Sequence, residues 1–166
     1  MLTYEQILKK NLTLAEVLKL IIPSVREKKK IVFTNGCFDI LHRGHIYYLS
    51  KAAELGDLFV VGLNSDASVT KLKGAGRPVN NQEARAEVLG ALAFVDYIIV
   101  FEEETPLDLI TALQPDLLVK GGDYSAEDIV GYEEVTSRGG RVVTIPLLKG
   151  YSSTSIIQKA NSKWQK

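Results

Sequence analysis

Cysteine is almost absent from this chain: Cys37 is the only one in 166 residues. No intrachain disulfide can form, which fits a reducing cytoplasm and makes a cytoplasmic location the expectation. Net charge is absent as well, because 20 basic and 20 acidic side chains cancel. That balance argues against a broadly basic nucleic-acid surface and leaves room only for a local basic pocket. No apolar run approaches the roughly 20 residues that a membrane span needs. The N-terminus also lacks the basic-then-apolar order of a signal peptide. Neither a nucleic acid nor a membrane is therefore an expected partner. Internal repeats and low-complexity segments are missing too. Histidine is scarce, with His42 and His45 alone.

What is present is enough apolar residue, 46% of the chain, to build a core. The length suits one nucleotide-binding domain, expected over residues 30–166, behind an N-terminal helical extension at 1–29. Residues 3–26 read as helical, with Thr13 and Glu16 at capping-box spacing and Leu14, Val17, Leu18 and Ile21 on one face. Five apolar strands follow, beginning near Ile31, Leu58, Tyr97, Asp116 and Arg141. Helical patterns separate them, from about His45 to Leu55, from Asn80 to near Ala93, and from Thr105-Pro106; a last helix starts near Ser153. Lys71 to Pro78 reads as a polar loop. Continuous apolar strands alternating with helices indicate an α/β fold, a Rossmann-like doubly wound five-stranded parallel sheet. Ligands of such sheets bind beyond the carboxyl ends of the strands, at the topological switch point.

The segment Asn35-Gly36-Cys37-Phe38-Asp39-Ile40-Leu41-His42-Arg43-Gly44-His45 lies between a strand and a helix. Gly36 allows close approach of a ligand to the backbone, and Gly44 frees space where the helix begins. A helix start offers unpaired N–H groups and a partial positive charge, a natural phosphate site. His42 and His45 are three residues apart, so both can face the same phosphates and stabilise charge on a transferring phosphoryl group. Lys71 and Lys73, alternate residues of an extended loop, would point the same way and clamp a triphosphate. Tyr151-Ser152-Ser153-Thr154-Ser155 offers hydroxyls that cap a helix, and its free N–H groups make Ser153 and Thr154 candidate phosphate contacts. In Gly121-Gly122-Asp123-Tyr124 the glycines let a base or ribose lie against the backbone, while Asp123 either binds a hydroxyl or turns the chain. Asp39 either ligates Mg²⁺ or, the preferred reading, holds its own loop through backbone N–H groups. Cys37 has no base partner and reads as packing.

Together, Gly36-x-Phe38-Asp39-x-Leu41-His42-x-Gly44-His45 resembles the HxGH signature of the cytidylyltransferase-like nucleotidyltransferases. Lys71-Leu72-Lys73 and Arg85 resemble that family's basic loop and helix, Lys120 to Tyr124 its Gly-Asp element, and Gly150 to Ile157 its closing Ser/Thr-rich helix start. The resemblance covers roughly residues 30–160. It implies His42, His45, Lys71 and Lys73 as catalytic residues. It also implies nucleotide contacts at Asn35, Gly36, Cys37, Phe38, Gly44, Asn64, Arg85, Gly121, Asp123, Ser153 and Thr154. Mg²⁺ is expected to arrive with the NTP, and no protein metal site is expected.

Longer tracts, such as Asn64 to Ser68, Arg77 to Asn80, Val88 to Leu92 and Asp116 to Tyr124, are similar to the adenylyltransferase domain of bacterial ADP-heptose synthesis. The implied reaction is in-line attack of a heptose 1-phosphate oxygen on the α-phosphorus of ATP, with pyrophosphate leaving. A separate heptose kinase would supply the acceptor, and a homodimer is the expected assembly. One alternative is a glycerol-3-phosphate or ethanolamine-phosphate cytidylyltransferase. Such relatives carry an arginine before the closing motif, where this chain has Pro146-Leu147-Leu148-Lys149. Lys149 is a candidate to replace that charge. A second alternative is a non-catalytic nucleotide sensor, which would have lost the histidines or the lysines that are present here.

Overall fold

The computed structural model describes residues 1–21 and 23–164. Five strands, β1 (Ile31–Gly36), β2 (Leu58–Asn64), β3 (Tyr97–Phe101), β4 (Leu117–Gly121) and β5 (Arg141–Ile145), form one sheet in the order β3-β2-β1-β4-β5. Every pairing is parallel, with Ile31 opposite Leu58 and Val60 opposite Tyr97 in register. The fold is the doubly wound, Rossmann-like α/β sheet that the apolar runs predict.

Side chains alternate across the strands and so feed two cores. Val32, Phe59, Val61, Leu63, Leu117 and Val119 face helices α4 (Arg43–Ala53) and α6 (Gln82–Gly90). Ile31, Phe33, Leu58, Val60 and Leu118 face α7 (Leu107–Leu113) and α8 (Tyr132–Thr136) on the other side. Each fully buried aliphatic or aromatic side chain contributes roughly 1.5–3 kcal/mol through apolar area removed from water.

Residues 3–26 are not one helix. They form α1 (Tyr4–Leu8), α2 (Leu14–Leu20) and α3 (Pro23–Arg26), and Ile22 of the expected helix lies outside the described residues. The break has a local cause, because Thr3 with Gln6 and Thr13 with Glu16 each close a capping box and start a helix. Between them Asn11 pairs beside Ile98 and covers part of the β3 edge. Val17 and Ile21 of this segment are buried in the second core.

The expected polar loop over Lys71–Pro78 is also corrected. Residues Asp66–Lys73 form helix α5, capped by the Ser65 hydroxyl, which accepts from the Ser68 N–H, and ended at Gly74 with φ +88°.

Three aspartates tie down the amino end of the sheet. The carboxylates of Asp57, Asp96 and Asp116 accept N–H bonds from Lys30, Phe59 and Ile31 at 2.7–2.8 Å. The carboxyl end is left open, and buried charges shape it. Arg85 of α6 is 2% exposed. Its Nε donates to the Asn80 carbonyl, its Nη1 to the carbonyls of Cys37 and Asn64, and its Nη2 to Asp66 Oδ1, all within 2.7–3.0 Å. Asp39, also 2% exposed, accepts from Arg77 Nε and from the N–H groups of Val79 and Asn80. Its structural reading therefore holds. These bonds keep Phe38 at φ +44°, a left-handed conformation that costs a side-chain-bearing residue roughly 1–3 kcal/mol.

Two stability predictions follow from these struts. Arg85→Met leaves three carbonyls and Asp66 without their donors and should cost about 3–5 kcal/mol in urea unfolding. Burial pushes the Asp39 carboxyl up, but Arg77 and the Asn80 and Val79 N–H groups outweigh it and hold it below its ordinary 3.8. A depressed carboxyl stabilises the fold above its unfolded value and loses that effect as pH falls through the folded one. Asp39→Asn should thus cost about 3 kcal/mol at pH 7. The gap to wild type should close as the pH of the urea melts drops below 3.8.

Candidate active site

β1 sits at the centre of the sheet. The chain leaves it through α4 towards β2 and leaves β4 towards β5, so the crossovers diverge between β1 and β4. That divergence opens a crevice at the carboxyl ends of these two strands. A cavity of about 470 Å³ occupies it, and an adjoining one of about 200 Å³ lies against the starts of α4 and of α9 (Ser153–Trp164). His45, Lys73, Leu147 and Ser153 line both cavities.

The α4 start is built from the two histidines. His42 is its N-cap, and its Nδ1 accepts the His45 N–H at 3.3 Å. The His42 and His45 rings stack, with centroids 3.8 Å apart and planes 14° off parallel. Phe38 meets His45 edge-on at 5.4 Å. Gly44 is needed there, because a Cβ would lie 3.1 Å from both the His42 ring and the Tyr151 Cβ. Burial, then the charges of His42 and Lys73, push His45 down to about 4, and burial also lowers His42. His45 is consequently neutral at pH 7. Its Nδ1 is buried without a partner among the described residues.

The remaining expected residues divide into three groups. Asn35, Gly36, Cys37, Phe38, Asn64 and Gly121 line the larger cavity. Cys37 is half-buried there, and burial pushes its thiol up, so it is no ready nucleophile. His42, Gly44 and Thr154 line the smaller one. Ser153 reaches both, its hydroxyl donating to the Ile40 carbonyl at 3.1 Å. Ser152 does the capping, its hydroxyl accepting the Ser155 N–H at 3.0 Å.

Three expected contacts are not brought to either cavity. Lys71 and Lys73 lie on a helix, so residues two apart point about 200° apart, and only Lys73 turns inward. Lys71 is exposed. Arg85 lines neither cavity, and its guanidinium is engaged by the loop carbonyls and Asp66. Asp123 is exposed outside the lining. Lys149 is exposed too and lines neither cavity. A guanidinium nevertheless stands at that edge, because Arg43 lies 5.7 Å from the Tyr151 ring centroid and donates to its hydroxyl at 3.2 Å.

Lys120 belongs to the Gly-Asp element read in the sequence but is not among the expected site residues. It ends β4, lines the larger cavity and donates to Asn35 Oδ1. Its signal was a lone cation closing an apolar strand at the ligand end of the sheet. Among the described residues no group of three or more His, Cys, Asp or Glu side chains is gathered to hold a metal ion. Asp39, in the cradle itself, has both oxygens engaged. No helix among the described residues is long and apolar enough to cross a membrane.

Comparison with known proteins agrees with this geometry. The chain is 58% identical over 134 residues to the bifunctional protein HldE of Nitrobacter hamburgensis, covering 81% of the chain and 27% of that protein. It is 53% identical over 150 residues to the bifunctional protein HldE of Trichlorobacter lovleyi, covering 90% of the chain and 30% of that protein. The chain thus spans about three-tenths of the length of these curated relatives. Among solved structures, a lipopolysaccharide core biosynthesis protein from Thermoplasma volcanium matches with a TM-score of 0.59 and 26% identity, over 75% of this chain and 99% of that one. A pantoate-beta-alanine ligase from Francisella tularensis shares the fold, with a TM-score of 0.58 and 16% identity over 94% of this chain and 78% of that one. The cytidylyltransferase-like family model matches residues 33–159, and the chain belongs to that family.

Proposed function

We propose that the chain transfers AMP from ATP to D-glycero-D-manno-heptose 1-phosphate, giving ADP-heptose and pyrophosphate for lipopolysaccharide core or surface glycan synthesis. The observation that carries this reading is His45, stacked on His42 at the start of α4 and lining, with Lys73, both of two adjoining cavities. One cavity suits a polyphosphate and the other an acceptor, and the pair lies where the two substrates would react. Identity above 50% to proteins named bifunctional HldE supports the choice of substrates.

A phosphate monoester is already a competent nucleophile, so the protein need not supply a general base. The acceptor oxygen attacks the α-phosphorus in line, and pyrophosphate leaves from the opposite side. The neutral His45 imidazole donates a hydrogen bond to the equatorial oxygens, Lys73 supplies fixed positive charge, and the free N–H groups of α4 and α9 hold the phosphates. Mg²⁺ is expected with the NTP, where it would neutralise phosphate charge. The same reading carries two partners, a second copy of the chain in a homodimer and a separate heptose kinase that supplies the acceptor.

Pyrophosphate release with ATP, CTP and GTP, each against both anomers of heptose 1-phosphate and against glycerol 3-phosphate, tests the assignment. ATP with heptose 1-phosphate should give the highest kcat/KM. A preference for CTP with glycerol 3-phosphate would sink it. Replacing His45 by alanine should lower kcat by about 10²–10³, the usual cost of removing one donor to transition-state charge. In the ligand-free protein an NMR titration should find neither imidazole titrating at the ordinary 6.5, and His45 changing state near 4.

A further inference from the structure

The two cavities differ in charge. The smaller carries His42, His45 and Lys73, two helix starts and no carboxylate. The larger also touches Lys73, but it adds Glu104 and Asp128 along its wall and Lys120 in its lining. Exposed carboxylates repel a triphosphate and accept hydrogen bonds from sugar hydroxyls. The triphosphate therefore belongs in the smaller cavity and a polyhydroxylated acceptor in the larger. The acceptor still carries a phosphate dianion, which needs a cation that the nucleotide does not already occupy.

Among the described residues, Lys120 is the only cation that lines the larger cavity and not the smaller one. Its side chain crosses from the end of β4 to the end of β1 and donates to the neutral Asn35 amide oxygen. No carboxylate pairs with it among the described residues. Burial pushes its ammonium down to about 8 from the ordinary 10.5. A strut between two strand ends needs no charge, since a neutral amide would make the same hydrogen bond without the cost of burying a cation. A charge held there without a counter-ion is explained by an anion that arrives with a ligand.

Resting on the proposed nucleotidyl transfer, we infer that Lys120 is the binding residue for the phosphate of the sugar phosphate acceptor, and that the part of the larger cavity walled by Lys120, Glu104 and Asp128 is the acceptor subsite, beside the nucleotide contacts expected at Gly36, Cys37 and Phe38. The Lys120 ammonium orients the phosphate at the switch point, so that one oxygen faces the α-phosphorus beside His45. Glu104 and Asp128 accept hydroxyl hydrogens at the mouth.

Lys120→Gln keeps a hydrogen-bond donor to Asn35 and removes the charge. Its KM for heptose 1-phosphate should rise at least tenfold, while its Kd for ATP by titration calorimetry stays within twofold of wild type. Lys120→Arg should recover part of the acceptor affinity. Retained ATP binding excludes misfolding as the cause. An unchanged acceptor KM, or a loss confined to ATP affinity, overturns the assignment. Calorimetry with mannose 1-phosphate in the presence of a non-hydrolysable ATP analogue separates this inference from the activity. Binding to wild type that Lys120→Gln loses supports the subsite even where no pyrophosphate is released. Equal binding by both, or no binding to wild type, overturns it.

Discussion

One buried guanidinium sets the geometry of the ligand end of this protein. Arg85 reaches from α6 under the crevice and joins the carbonyls of Cys37, Asn64 and Asn80 to the Asp66 carboxylate. Those groups belong to the β1 loop, the end of β2, the segment before α6 and the first turn of α5. Four stretches that share no regular ladder are fixed by one planar fork of donors. The fork lies beneath the cradle, which leaves the upper surface of the loop free for a ligand. Asp39 repeats the device with the charges exchanged, a carboxylate gathering Arg77 and two backbone N–H groups. Neighbouring loops are thereby held from opposite sides, and Phe38 is kept in its left-handed conformation with its ring against His45.

This rigidity matters because the proposed chemistry relies on electrostatics. Donors that are already aimed need no reorganisation as charge builds on a phosphorus. His45 illustrates the cost and the gain together. Burial holds it neutral, so it contributes an oriented dipole where a full charge would have to be desolvated. The full positive charges lining the two cavities are lysines. Lys73 is exposed at the end of α5, and its long stem can follow a substrate, whereas Lys120 is held in place by Asn35.

Much of this was legible in the sequence, and the parts that were not share a physical reason. Continuous apolar runs marked the strands because a sheet covered on both faces leaves no polar alternation. The cradle was marked by glycines and histidines whose types follow from their local task, as Gly44 shows, where a Cβ would press on His42 and Tyr151 at 3.1 Å. Helix α5 was missed because its apolar face is short, Val69 and Leu72, although Ser65 and Gly74 bracketed it as cap and stop. That miss made Lys71 and Lys73 look equivalent, since a pair two apart converges in an extended chain and diverges on a helix. The strut role of Arg85 is hidden for a different reason. Its partners are mostly backbone carbonyls, which every residue carries, and no side-chain pattern announces them.

The division of the crevice follows from topology. A doubly wound sheet has one place where successive crossovers diverge, and the strand ends on either side present different neighbours. On the α4 side the cradle loop leads into a helix start, so N–H groups and the two histidines gather and favour phosphates. On the β4 side the chain continues through a loop and a 3₁₀ turn, Ala126–Asp128, before α8, and this stretch brings Tyr124 and Asp128 to the opening. One side is electropositive and lined by backbone donors, while the other mixes carboxylates with Lys120. A reaction that joins a polyphosphate to a hydroxylated phosphate ester needs two such halves, with the reacting atoms at their seam. His45 and Lys73, which line both cavities, stand at that seam.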